Sequence, residues 1–354
     1  MRKKDNQAFS RDHSAPKRRS TRRVLLWILL GILVLLLALV VAISIIVVSK
    51  LNKINRVDPN ETRISPEQAA TIPDETDDPL DSDVTHPVVD EQDVTLNPVQ
   101  EDETLIGESE NIVNILLIGL DRRPGETSSR SDSMILVSFN KEAGTVSMVS
   151  FLRDNYVQIP GGYRDNRLNA AYTYGGMELL NEALEVNFGI YVDANISVDF
   201  TGFADIIDTL GGVDVSLTQA EANHLGLSSG LNHLDGEDAL AYARIRKLDS
   251  DFGRASRQQT VLESLFNSFR DISLADALDL ADQLFPMLTT DMSNMDMIHY
   301  ITELLPILSK TDSITCLHIP GDDSYYNATI RGMMVLVPDL DACRQQLREA
   351  LLEP

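Results

Sequence analysis

The sequence predicts a layered α/β/α domain with a central mixed sheet, preceded by one transmembrane helix. Three observations predict it. Apolar, β-branched runs at 112–119 (IVNILLIG), 133–139 (SMILVSF) and 145–151 (TVSMVSF), bounded by Gly, Pro and Asp, read as buried strands. Helical patterns come after them and interleave with further short strands, which implies layered α/β packing. Residues 24–49 (VLLWILLGILVLLLALVVAISIIVVS) are 26 positions without a charge.

From the N-terminus, residues 1–23 hold nine basic residues and two acidic ones and cannot form a core. The uncharged run after them would reach ~39 Å as a helix, enough for a ~30 Å hydrocarbon layer with some tilt. It is longer than the apolar stretch of a cleavable signal peptide and lacks a small-residue cleavage site, so it reads as a signal-anchor. The basic flank lies before the span, with only Lys50, Lys53 and Arg56 just after it, which places the N-terminus in the cytoplasm and the rest outside the cell. The tail either sets this topology alone or also meets anionic lipid or a cytoplasmic partner.

Segment 50–110 carries 17 acidic and four basic residues, six prolines and scarcely any apolar periodicity, so it reads as a disordered acidic extracellular linker. As a flexible coil its ends would stand ~45 Å apart. The exported domain, 111–354, continues after the first three strands with helical patterns near 168–188, 200–210, 237–243, 254–271, 274–285, 294–308 and 338–351. Short strands are expected near 190–198, 213–217 and 314–319. The first three strands have no helix between them, so the sheet should be mixed rather than purely parallel. Cys316 and Cys343 are the only cysteines; a disulfide and two free thiols are both open, since sequence cannot place the Cα atoms.

The formal net charge of −24 argues against nucleic-acid binding. Within this acidic domain the arginines are clustered. Arg122, Arg123, Arg130, Arg153, Arg164 and Arg167 fall in or beside the early loops, and Arg244, Arg246, Lys247, Arg254 and Arg257 come after a long stretch without a basic residue. Guanidinium forks match phosphate oxygens, so the cluster suggests a bound anion, against salt bridges to acids such as Asp249 and Asp251. Asp121 ends the first strand and Asp132 opens the second, at strand ends where α/β domains bind ligands. Two such carboxylates suit a hard divalent cation bridging to phosphate, or else cap the loop and pair with Arg130. On the helix at 254–271, Arg254 and Gln258 lie one turn apart, and Val261, Leu262, Leu265 and Phe269 continue along much the same side. That stripe is either a lipid pocket or core.

Taken together, NILLIGLD (114–121), RSDSMIL (130–136), VSMVSFLRDNYVQIPG (146–161), RLNAAYTYGG (167–176), DTLGGVDV (208–215) and LDGEDALAYARIRKLDSDFGRASRQQ (234–259) resemble the LytR-CpsA-Psr family of Gram-positive cell-envelope proteins. Phe151 and Leu152 depart from the family's usual S-I-P-R-D, and Arg167 stands where Lys is common. The resemblance implies the family's fold and a membrane-anchored phosphotransferase. Such an enzyme takes a glycopolymer, a teichoic acid or capsular polysaccharide, from a polyprenyl pyrophosphate carrier at the lipid bilayer and joins it to peptidoglycan. By the same resemblance Asp121 and Asp132 look like ligands of Mg²⁺ (or Mn²⁺). Arg130, Arg153, Arg244, Arg246, Arg254 and Gln258 look like a pyrophosphate clamp. Arg153, Asp154 and Asp132 form the implied catalytic set, with Asp154 or Asp132 as base, and Asn169, Asp251 and Arg257 support it.

Three other readings compete. Gly226-Leu-Ser-Ser-Gly230 fits G-x-S-x-G, but it follows a helical stretch and precedes a turn, the reverse of a nucleophile elbow. His224 and His233 lack zinc spacing. A polyprenyl-pyrophosphate hydrolase would use the same site without an acceptor, and a non-catalytic envelope-stress regulator would use it only to bind.

Overall fold

The computed structural model describes residues 46–57, 63–74, 86–100, 103–109, 111–121, 130–246, 248, 250–269, 274–311 and 313–352. The basic tail and all but the last residues of the expected span lie outside these. Among the described residues, no helix is long and apolar enough to cross a membrane. The chain divides into two units, Met1–Ser49 and Lys50–Pro354, and the second holds the sheet and its helical layers.

Its centre is a mixed sheet of β1 (Asn55–Arg56), β2 (Ile112–Asp121), β3 (Arg130–Asn140), β4 (Thr145–Phe151), β7 (Ala194–Asp199), β10 (Thr289–Thr290) and β11 (Thr315–Ile319), in the order β1-β10-β7-β2-β3-β4-β11. β2, β3 and β4 pair antiparallel, as expected for strands without a helix between them. β7 and β11 join parallel to β2 and β4. A short antiparallel ribbon of β5 (Tyr156–Val157) and β6 (Asn166–Arg167) leads from β4 into the first long helix.

Alternation along β2 decides the layers. Leu116, Ile118 and Leu120 face helices α2 (Leu168–Phe188) and α9 (Leu340–Leu352). Val113, Ile115 and Leu117 face the opposite side, with α6 (Asp251–Phe269) and α8 (Asn294–Leu308). A further core is built from α3 (Phe200–Thr209), the hairpin β8 (Val213–Leu217) and β9 (Gly230–Leu234), α4 (Gln219–Leu225) and α5 (Gly236–Ala243) against one side of α6. Helix α7 (Leu274–Leu284) lies beside α3. Gly226 ends α4 in the left-handed region at φ 73° and Gly230 opens β9, so the G-x-S-x-G segment runs from helix to strand and is no nucleophile elbow.

The structure corrects the linker. Described parts of 50–110 pack on the domain: Leu51 is 2% exposed, Ile54 and Ile106 are buried, and β1 is one edge strand of the sheet. Lys50 and Lys53 lie 2.6 and 2.8 Å from Asp282, and α1 (Pro66–Ala69) starts at a capping box built on Ser65. The acids, self-repelling by composition, are in part matched by arginines: Asp74 and Glu91 both meet Arg331, and Glu103 meets Arg348. Composition averages over a segment and misses isolated apolar residues and acids that find distant partners. Removing residues 50–110 should therefore lower the melting temperature by more than about 5 °C, because several fully buried side chains worth ~1.5–3 kcal/mol each are lost. Differential scanning calorimetry of the two lengths of chain checks this.

A hairpin of β12 (Tyr325–Ile330) and β13 (Met333–Pro338) is a further addition to the expected elements. Its two-residue turn is Arg331–Gly332, both at positive φ (52° and 83°), where Asn-Gly is the usual signal. The ionic contacts of Arg331 hold that arginine in place. Cys316 is exposed and Cys343 buried, both as free thiols. Burial pushes both thiols up to about 11, so a thiol reagent near neutral pH should titrate Cys316 slowly in the native protein and Cys343 only after denaturation.

Candidate active site at the strand ends

The ends of β2 and β3 carry the site. Gly119 pairs with Ser133 and Leu120 with Ser131, so Asp132 is the extra residue of a β-bulge, and Asp121 pairs with Arg130 one step further on. A bulge re-aims the side chain it displaces. Asp132 lines a narrow cleft with Ser133, Arg153, Asp251, Arg254 and Gln258, roofed by the first turns of α6.

Arginines from separate segments converge there. Arg153, just past β4, places Nη1 2.9 Å from Asp132 Oδ1, and Arg246 Nη2 lies 3.3 Å from Asp132 Oδ2. Arg153 Nε is 3.4 Å from Asp154 Oδ2, and Arg167 Nε is 3.2 Å from Asp154 Oδ1. Arg254, 5% exposed, reaches Asp251 Oδ1 at 2.9 Å, yet its buried Nη1 has no hydrogen-bond partner among the described residues. A buried donor left unsatisfied costs ~1–3 kcal/mol. Gln258 Oε1 accepts from Ser133 Oγ at 2.9 Å.

The electrostatics follow from burial and these pairings. Burial alone would raise Asp154, but Arg153 and Arg167 outweigh it and hold its carboxyl below the usual range. Asp251 goes the other way, raised by burial and by its hydrogen bond to Asp154 and that group's charge. Burial works against the charge on Arg153, and Asp154 and Asp132 restore it, leaving its pKa above the ordinary value. Arg254 is lowered, first by burial, with Asp251 opposing and Arg153 and Arg246 adding to the shift.

The remaining expected residues lie at different removes. Arg130 and Asn169 line an adjoining pocket with Arg167. Arg257 is buried away from the cleft, its Nη1 3.4 Å from Glu221 and its Nη2 donating to the Ile245 carbonyl, so it ties α6 to α4 and to the segment just after α5. Arg244 lies over the Phe200 ring at 4.2 Å. Val261, Leu262 and Leu265 pack in the second core, with Leu262 also reaching the sheet face, so that part of the stripe is core. The side chain of Phe269, with Arg122, Arg123, Lys247 and Asp249, lies outside the described residues. Arg167, one of the clustered arginines of the sequence, is held in this region by Asp154, whereas Ser133, which touches Gln258, carries no signal in the sequence. His233 is held by Asp214 and the Gly211 carbonyl, away from this cleft.

The family model for LytR_cpsA_psr matches residues 75–349. The chain belongs to this family. This LytR-CpsA-Psr protein is 36% identical over 225 residues to the polyisoprenyl-teichoic acid–peptidoglycan teichoic acid transferase TagT of Bacillus subtilis (strain 168), covering 59% of this chain and 68% of that one. It is also 36% identical over 231 residues to TagU of Oceanobacillus iheyensis, a transferase of the same description, covering 62% and 69%. Among solved structures, TagT bound to LI-WTA is similar at a TM-score of 0.57 and 29% identity, over 68% of this chain and 91% of that one. The LytR-CPS2A-psr family protein YwtF (TagT) with bound octaprenyl pyrophosphate lipid gives a TM-score of 0.54 at 26% identity, again over 68% and 91%. The match begins at residue 75, well before the expected boundary at 111.

Proposed function

We propose that this chain is a membrane-anchored phosphotransferase that moves a glycopolymer from a polyprenyl pyrophosphate carrier to peptidoglycan. The observation that carries the reading is the convergence of Arg153, Arg246 and Arg254 on one cleft, with a buried Arg254 donor that lacks an acceptor among the described residues. Guanidinium groups so placed match a pyrophosphate. The named activities of the relatives support the donor and the acceptor.

In the reaction, a peptidoglycan sugar hydroxyl attacks the phosphorus that bears the glycan. A new P–O bond forms, the bond to the bridging oxygen breaks, and polyprenyl phosphate leaves with the electron pair. Arg153, Arg246 and Arg254 hold the phosphates in line and stabilise the charge that grows on the leaving group. The hydroxyl proton passes to a cleft carboxylate, and Asp251 is the best matched: it lines the cleft and its pKa is raised towards neutrality. Asp154, clamped between Arg153 and Arg167 with a depressed pKa, positions the arginines instead.

Asp121 and Asp132 would hold Mg²⁺ or Mn²⁺. Two carboxylates on adjoining strand ends fit a hard cation that takes its other ligands from phosphate and water. Among the described residues no group of three or more His, Cys, Asp or Glu side chains could hold a metal ion. When bound, it would neutralise phosphate charge.

The uncharged run 24–49 would anchor the chain, N-terminus cytoplasmic, with the domain outside the cell. The test is incubation of the full chain with Mg²⁺, a polyprenyl pyrophosphate glycan and a peptidoglycan oligomer, followed by mass spectrometry. Glycan joined to the oligomer through phosphate is the expected product. Polyprenyl phosphate released equally without acceptor would make the protein a hydrolase, and an unchanged lipid would make it a binding protein.

A further inference from the structure

The uncharged run 24–49 ends at Ser49, and the next residue already belongs to the unit that holds the sheet. Lys50 and Lys53 pair with Asp282, Leu51 and Ile54 are buried, and Asn55 Nδ2 donates to the Pro286 and Leu288 carbonyls at 2.8 and 3.1 Å. Asn52 Oδ1 accepts from Asn294 Nδ2 at 2.6 Å. Arg56 donates from Nε to the Met292 carbonyl at 2.9 Å and from Nη2 to Asn294. From Ser49 to Asn52 the chain can reach at most ~11 Å, and one headgroup layer is itself ~5–8 Å deep. Asn294, at the start of α8, is therefore held close to where a chain crossing the bilayer would emerge.

From that point α8 carries apolar side chains along one flank. Met295, Ile301 and Leu305 are at least half exposed, and Ile298 between them is partly so. At 3.6 residues per turn these four fall within a sector of about 120° that holds no charged residue. Met297 and Leu304 turn into the domain instead. Asp296, His299 and Glu303 occupy the other flank, with Glu303 3.0 Å from Lys141 and 3.7 Å from His299. An uncharged apolar flank suits the boundary between headgroups and acyl chains, and Lys50, Lys53 and Arg56 at its start suit anionic headgroups. The short reach from Ser49 selects a lipid surface as the occupant of this flank over another protein.

We infer that the domain docks on the outer leaflet through α8, whose apolar flank enters the headgroup and acyl boundary by ~5–10 Å. The domain then meets lipid-borne molecules from a fixed stance at the membrane and not from the end of a loose tether. This rests on the membrane anchor proposed above.

The test uses the full chain reconstituted in vesicles of equimolar phosphatidylglycerol and phosphatidylethanolamine, part of the lipid carrying a nitroxide quencher just below the headgroup. Cys316→Ser removes the exposed thiol and Cys343 is buried, so a fluorophore can be attached at Ile301→Cys or, on the other flank, at His299→Cys. Both positions are exposed, so the fold is kept. The fluorophore at 301 should be quenched at least about threefold more strongly than the one at 299. With the fluorophore moved to Met295→Cys, adding Ile301→Asp and Leu305→Asp should remove most of the quenching, while flotation with the vesicles is unchanged because the run 24–49 is intact. Equal quenching at 301 and 299, no quenching at either, or quenching at 295 that survives the two aspartates overturns the docking while sparing the anchor. Full chain that alkaline carbonate extracts from the vesicles removes the anchor and the docking with it.

Discussion

Arg153→Ala is expected to lower transfer by at least about 100-fold, the scale seen when one preorganised donor is removed from a developing charge. Its guanidinium touches both Asp132, in the cleft, and Asp154, behind it. Losing it removes a phosphate donor and unfixes Asp132 together. Asp154 keeps Arg167 as a partner, so the domain should stay folded. Asp132→Ala should act on turnover to a similar degree, because it removes the acceptor shared by Arg153 and Arg246. The readout is kcat and KM beside a melting curve. Near-normal kcat in a folded Arg153→Ala protein would remove this cleft as the seat of the chemistry.

The largest effect on stability should come from Asp154→Ala. It strips the shared carboxylate from Arg153 and Arg167, both largely buried, and breaking a buried pair in this way costs about 3–5 kcal/mol. For a domain of this size that is a fall of roughly 10 °C in melting temperature. The pH dependence has two opposed parts. Asp154 has a folded pKa below its unfolded one, so its contribution is complete above the ordinary carboxylate range and is lost as pH falls through and below that range. Asp251 has a raised folded pKa, so its contribution is present below that range and is lost as pH rises through the elevated value. Asp251→Asn keeps a donor for Asp154 and cannot ionise. It should abolish the loss on the neutral side and retain the loss on the acid side, as read by denaturant melts across pH. A variant that keeps both slopes would show that Asp251 and Asp154 do not titrate as a pair.

Much of the layered fold is legible in the sequence because burial leaves a period in the chain. The runs at 112–119, 133–139 and 145–151 are β2, β3 and β4, and the alternation within β2 divides its side chains between the two helical layers. The hairpin β12–β13 is not legible, because its turn uses Arg331 in the left-handed region, and what holds Arg331 there lies far away in sequence, at Asp74 and Glu91. The order in 50–110 is hidden for the same reason. Asp74 and Glu91 look like excess charge until Arg331 is brought beside them.

The site divides along a similar line. Residue types and motifs alone determined that arginines and acids gather at the ends of the first strands, and that the family is LytR-CpsA-Psr. Only the tertiary structure decided how they are shared out: that a bulge displaces Asp132, that Arg257 belongs to helix packing, that Asp154 is clamped and Asp251 raised, and that residues 72–74 from upstream wall the neighbouring pocket. The physical reason is range. Periodicity and turn chemistry act over a few residues and are written locally, whereas desolvation and ion pairing depend on which distant side chains arrive at the same place.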